Sequence, residues 1–194
     1  MINRPSLDGE GLENLLKPNT ELESFLLKLT DFRYGMLWGE PRFGHPEGKV
    51  AYHVREVLDN VERLGLYAHQ KEKLRLIAIV HDTFKYEEAR TIAQGNRVHH
   101  GVIAKNFFSE YTADNELLTI IELHDEAYYC WRMIHLNNDY ENGMKRLELL
   151  LEKIESCLQL YYYFFKCDTR TGDKIQVPLK WFEKNIKGIE IVDW

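Results

Sequence analysis

A chain of 194 residues with 44 % hydrophobic and 29 % charged side chains has enough apolar material for one folded core, and it falls outside the disordered, collagen-like and membrane-protein classes. Its formal net charge of −6 argues against a broadly basic, phosphate-neutralising surface, so no nucleic-acid partner is expected. Cys130, Cys157 and Cys167 form no Cys-x-x-Cys pair and read as buried apolar residues or free thiols, not as a disulfide frame.

Residues 1–19 carry Pro5, Gly9, Gly11 and Pro18 and are expected as a loosely packed arm. Charges and breakers stand there where a signal peptide needs an apolar run, and no stretch approaches the roughly 20 apolar residues of a membrane span. A cytoplasmic location without a membrane partner is the expectation. Glu21 to Asp31 places Leu22, Phe25, Leu26 and Leu29 at helical spacing behind Thr20, a good N-cap. Arg33 to His45, with Gly35, Gly39, Pro41 and Gly44, reads as a loop; His45 leads into Pro46, which suits a first helical turn.

The helix that follows runs to about Gly65 with Val50, Val54, Val57, Leu58, Val61 and Leu64 as its buried stripe. Lys71 to about Glu88 is a central helix, nearly all apolar over Ile77–Val80. Gly95-Asn96 breaks the chain. His99 to Tyr111 is helical with Val102, Ile103, Phe107 and Phe108 inward, and Glu116 to about Leu136 is one long or kinked helix. Asn142 to Phe165 is the longest candidate, on a stripe of Met144, Leu147, Leu150, Leu151, Ile154, Cys157, Leu158 and Tyr161. A turn-rich loop after Asp168, a short helix over Leu179–Ile186 and a tail at 189–194 complete an all-α single domain spanning 20–188. No convincing alternating strand pattern appears.

His53, His81, Asp82, His99, His100, His124 and Asp168 fall near apolar helix faces. Each imidazole alone reads as a core-edge residue with one hydrogen bond. Taken together they offer a nitrogen and carboxylate set that suits Mn, Fe, Ni, Zn or Mg. The sharpest feature is LRLIAIVHDTFK, where His81 and Asp82 directly follow a buried run. A buried Asp needs a cation or several donors, whereas a helix surfacing at His81 would leave both residues solvated.

The run HPEGKVAYHVREVLDNVERLG followed by LRLIAIVHDTFK resembles the opening of an HD-superfamily metal-dependent phosphohydrolase. His53 matches that family's first His, His81-Asp82 its adjacent pair, Lys85 the Lys often found three residues on, and Asp168 the final Asp late in a long helix. The resemblance covers about Gly44 to Gly172. RVHHGVIAKNFF and IIELHDEAYY are similar to segments that carry two more ligand histidines in members that bind two ions. There the spacing to Ala104 leans towards His99, with His100 as the alternative, since helix neighbours differ by about 100°.

The resemblance implies an HD-type helical bundle that binds one or two divalent ions. It implies a hydrolase acting on a small phosphorylated substrate, such as a nucleotide, through a metal-activated water. Asp82 and Lys85 would be catalytic, with Lys85 also on the substrate; Lys105, Arg170 and Arg132 are weaker substrate-binding candidates, and Asp125 is a candidate to orient a ligand His. A homo-oligomer is compatible with this reading. The Gly-Tyr-Pro signature of cyclic-dinucleotide phosphodiesterases is absent. Phe84-Lys85 stands where hydrolases of guanosine tetraphosphate carry Glu-Asp, so neither activity is implied. A di-iron oxygenase on the same fold, or a non-catalytic module binding a nucleotide or a structural metal, would use overlapping ligand types.

Overall fold

The computed structural model of the protein describes residues 11–43 and 46–193. The first ten residues of the expected arm, the helix-entry role of His45 and the last residue of the tail lie outside that range. Twelve α-helices are described: α1 Gly11–Leu16, α2 Glu21–Leu26, α3 Thr30–Leu37, α4 Val50–Arg63, α5 Ala68–Val80, α6 Lys85–Ala93, α7 His100–Phe108, α8 Asn115–Leu123, α9 Glu126–His135, α10 Tyr140–Ile154, α11 Leu158–Thr169 and α12 Val177–Asn185. Among the described residues no strand forms beyond an isolated bridge at Arg42. The fold is all-α.

The centre is a triangle of α4, α5 and α11, each packed on the other two. Val50, Val54, Val57, Leu58, Val61 and Leu64 are all buried, as are Ile77–Val80 on α5 and Tyr161–Phe165 on α11. Burying such side chains contributes about 1.5–3 kcal/mol each relative to exposure, which is what holds these three helices in contact. α8 packs on α5, α7 on α8, and α10 on both α8 and α9. On α7 the buried face is His100, Gly101, Ala104 and Phe108, while the expected Val102, Ile103 and Phe107 are only half-buried.

Several expected boundaries move. Residues 11–16, expected in a loose arm, form α1 against α4 with Leu12 and Leu16 fully buried. Arg55 on α4 closes that helix by donating to the carbonyls of Leu15 and Leu16 at 3.3 and 3.1 Å. Arg75 anchors the next segment, donating to the Lys17 carbonyl and to both Glu23 carboxylate oxygens. The Thr20 cap is present, its hydroxyl accepting from Glu23 N at 3.1 Å. The expected loop over Arg33–His45 starts five residues late, because α3 runs to Leu37. The helix expected from Pro46 begins instead at Val50.

Three expected long helices are each cut in two, at His81–Phe84, at His124-Asp125 and at the short 3-10 turn Glu155–Cys157. The first two breaks carry site residues. Gly35 is needed beside the first of them: a Cβ there would lie 1.9 Å from the Thr83 carbonyl oxygen, so only glycine lets α3 lean on the turn after Asp82.

Candidate metal centre

His81 follows the last residue of α5 and His124 the last residue of α8, so both rings sit where a helix leaves carbonyls without partners. Each ring uses one. His81 Nδ1 lies 2.9 Å from the Ala78 carbonyl, and His124 Nδ1 lies 2.9 Å from the Ile121 carbonyl. A carbonyl oxygen only accepts, so both Nδ1 atoms carry hydrogen and both Nε2 atoms are left for something else. His100 reaches the same state differently. It opens α7, and the Glu88 carboxylate accepts from both its backbone N–H at 3.2 Å and its Nδ1 at 2.6 Å. That pairing with His100, assisted by Arg97, holds the Glu88 carboxyl down at about 2 even though burial opposes it.

The Nε2 atoms converge on Asp82. His53 and His81 lie 3.5 and 3.4 Å from its Oδ2, while His100 and His124 lie 3.1 and 3.5 Å from its Oδ1. Asp168, at the end of α11, sets its Oδ1 2.9 Å from His53 Nε2 and 3.8 Å from His81 Nε2. Two groups result. His53, His81 and Asp82 face Asp168, whereas Asp82, His100 and His124 face Asp125, whose Oδ2 is 3.5 Å from His124 Nε2. Asp82 is shared between them.

These residues fit one or two divalent ions. His81 Nε2 and Asp82 Oδ1 are buried with no hydrogen-bond partner, since the short approach of His100 to Oδ1 is poorly directed. A buried orphan lone pair beside a buried carboxylate is costly in an all-protein environment, and a cation relieves both. The charges behave accordingly. Burial pulls His53 down to about 4 and leaves its ring neutral. Burial opposes ionisation of Asp82, yet His81 and Lys85 hold its carboxyl well below the usual range. For His124 burial also works against the charged form, but the Asp125 and Asp82 carboxylates outweigh it and raise the ring to about 9.

His99, towards which the spacing leaned, stands outside the two groups that share Asp82 and lies instead beside Glu88 and His100. Its Nδ1 accepts the Gly101 N–H at 3.1 Å and caps α7, which leaves a hydrogen on Nε2, 3.3 Å from Asp125 Oδ2. The ring therefore braces Asp125, and the inward-facing neighbour is His100. A Cβ on Gly101 would lie 2.7 Å from the Glu122 carbonyl oxygen, so α7 approaches α8 closely enough to join His100 to His124, Nε2 to Nε2 at 3.1 Å.

The group floors a cavity of about 310 Å³ lined by Asp82, Lys85, His124, Asp125, Asp168 and Lys174, with Phe43, Tyr128, Phe165, Ile175 and Pro178 as an apolar wall. Lys85 Nζ contacts Asp82 Oδ2 very closely. Lys105 and Arg170, expected to bind substrate, are not in this lining. Lys105 pairs with Glu122 of α8 at 2.6 Å, and Arg170 is exposed. Arg132 lies over the Tyr129 ring, also outside the lining. Sequence reasoning passed over Glu88, read as a helix end, and Lys174, read as loop. Of the aromatic run, Tyr161 and Phe164 are core, and Phe165 reaches the cavity.

The HD domain family model matches residues 50–151, from the start of α4 into α10. No curated protein and no solved structure matches the chain. HD domains bind divalent metals, and the family is mostly metal-dependent phosphohydrolases. The matched stretch is more than half of the chain and contains His53, His81, Asp82, His100 and His124; this protein belongs to the HD domain family.

Proposed function

We propose that the protein is a metal-dependent phosphohydrolase acting on a small phosphate ester, with a nucleotide among the candidates. His53, His81, Asp82 and Asp168 would hold one ion and Asp82, His100 and His124 a second. A bound divalent ion supplies an acidified water and polarises a phosphoryl oxygen. The chain's own groups do the remaining work. The Lys85 ammonium, on the first residue of α6, faces the cavity and neutralises charge growing on a non-bridging oxygen. Asp82 is committed to the ligand set, and Asp125, the carboxylate beside it at the floor, orients the attacking water and takes its proton. The wall of Phe43, Tyr128, Phe165, Ile175 and Pro178 receives the organic part and excludes water around it.

The observation that carries this reading is the joining of an orphaned ligand cluster to an open cavity with two ammonium groups at its floor. Those cations favour an anionic substrate over a neutral one. The test is elemental analysis of protein purified without added metal, then phosphate release from nucleoside monophosphates and sugar phosphates after reloading with Mn, Fe, Ni, Zn or Mg. Phosphate release that chelation abolishes is expected. Oxygen uptake by the iron-loaded protein, with no phosphate released by any metal form, would overturn it.

A further inference from the structure

Lys174 has no counterpart in the ligand set, yet it is built into the site. It stands in the segment between α11 and α12, and that segment is pinned at every turn. Thr171 Oγ1 donates to the Asp168 carbonyl at 2.7 Å, Gly172 N to Glu56 Oε2 at 2.8 Å, and Gln176 Nε2 to the Thr169 and Lys174 carbonyls at 2.9 Å each. The backbone thus delivers the Lys174 ammonium to Asp168, 2.9 Å from Oδ1 and 3.2 Å from the carbonyl oxygen. Oδ1 is also the atom that faces His53 and His81, where a cation belongs. Lys85 stands in the same relation to Asp82 Oδ2, the oxygen nearest those two rings. Among the described residues lining the cavity, these two lysines are the ammonium groups, one above each carboxylate.

We propose, on the phosphate-ester reading above, that Lys174 and Lys85 form a dianion clamp. As metal fills the site, the two ammonium groups give up their carboxylates to the ion and take the phosphoryl oxygens of a phosphate monoester. The reason is charge. A dication on Asp168 Oδ1 would sit a few ångströms from an ammonium already bound to that oxygen, and like charges in a buried site repel strongly. An anion between the lysines relieves the repulsion. A monoester carries close to two negative charges at neutral pH, matching two ammonium groups, whereas a diester carries one. Metal and phosphate dianion therefore strengthen each other's binding, and by linkage the factor is the same in both directions. Lys174 is a substrate-binding residue in this arrangement, and Lys166, Lys180 and Lys184, nearby in sequence, do not line the cavity.

Calorimetric titration of Mn²⁺ into the metal-free full-length chain tests this, with and without inorganic phosphate and corrected for Mn²⁺–phosphate association in solution. Phosphate is expected to tighten Mn²⁺ binding at least fivefold, and dimethyl phosphate, a monoanion, by less than twofold. Lys174→Met is expected to bind Mn²⁺ more tightly than wild type without phosphate, and to lose the phosphate-dependent gain. Lys174→Arg, which restores the charge, should recover part of that gain. Circular dichroism verifies that each variant is folded. A Lys174→Met protein that keeps the gain, or that binds Mn²⁺ more weakly without phosphate as a mere brace for Asp168 would, overturns the proposal. So does a wild-type chain that binds Mn²⁺ and releases phosphate from esters yet shows no coupling; that result leaves the phosphohydrolase reading standing. A wild-type chain that binds no divalent metal sinks both.

Discussion

His53 and His124 flank the same carboxylate and hold their protons in opposite ways. Burial dominates at His53 and takes it to about 4, whereas Asp125 and Asp82 outweigh burial at His124 and raise it to about 9. Metal uptake at neutral pH must therefore expel a proton from His124. Titration in two buffers of different ionisation heat is expected to report release of about one proton, and no release would contradict the assignment. The sign for stability follows. The raised value at His124 contributes stability that is fully present below 6.5 and lost as pH rises through about 9. The depressed value at His53 works in the other direction, and its contribution is lost as pH falls from 6.5 to about 4. The melting temperature of chelated protein should therefore fall on both sides of neutrality, and metal should flatten the alkaline limb.

Side-chain removal separates the two groups of ligands. His81→Ala is expected to abolish metal at the His53 side while helical circular dichroism persists. His124→Ala should halve a stoichiometry of two; an unchanged metal content would reduce the centre to one ion. Asp82→Ala is a poorer probe, because it removes the carboxylate shared by both groups and the ion-pair partner of Lys85 at once. His53, the His81-Asp82 pair and Asp168 were readable because they stand in one recognisable order along the chain. Glu88 was not readable, since a Glu near a helix end gives no sign that it will hold an imidazole 12 residues further on. Lys174 was hidden by its neighbours, which read only as a turn.

At the scale of elements, the site exists because helices stop. α5, α8 and α11 all end within a residue or two of a ligand. The apolar pattern runs straight through two of these stops, because His81–Phe84 and His124 are as buried as any helix interior. Neither break contains glycine or proline, so periodicity merged α5 with α6 and α8 with α9. The breaks are made by side chains. Thr83 Oγ1 donates back to the Ile79 carbonyl at 2.9 Å. Tyr161 OH accepts from Ala127 N at 3.1 Å and donates to the Leu123 carbonyl at 3.0 Å, tying both sides of the second break to α11. Tyr161→Phe leaves those backbone groups unpaired and should cost about 1–3 kcal/mol in denaturant unfolding. Gly101→Ala forces α7 away from the Glu122 carbonyl, with an overpacking cost of about 1–3 kcal/mol. It should also weaken metal at the His100–His124 side, while a neighbouring control, Asn106→Ala on the exposed face of α7, changes neither quantity.

For the whole molecule, the all-α class was legible from the spacing of apolar residues, and α4 and α5 carry the stripes that spacing marked. What the pattern could not show is that α4, α5, α7, α8 and α11 meet at one point, because convergence depends on packing angles that no local period encodes. Ions held between these helices, as the ligand set would have them, bind only the folded state. Free metal at a hundred times its dissociation constant should therefore add about 2.7 kcal/mol. In a chain of this size that corresponds to roughly 5–10 °C in melting temperature, read by differential scanning against a chelated control. A difference under about 2 °C would mean that the ion contacts fewer helices than the ligand set requires.

Tyr161, Asp168 and Lys174 lie beyond residue 151, outside the stretch that carries the family match. On a translating ribosome the four histidines and Asp82 leave the exit tunnel well before them. A half-made chain thus offers an incomplete cage, unbraced at the second break and open on the α11 side. Ion retention must wait until α11 is released, so metal loading follows the emergence of that helix rather than of the family-matched stretch before it.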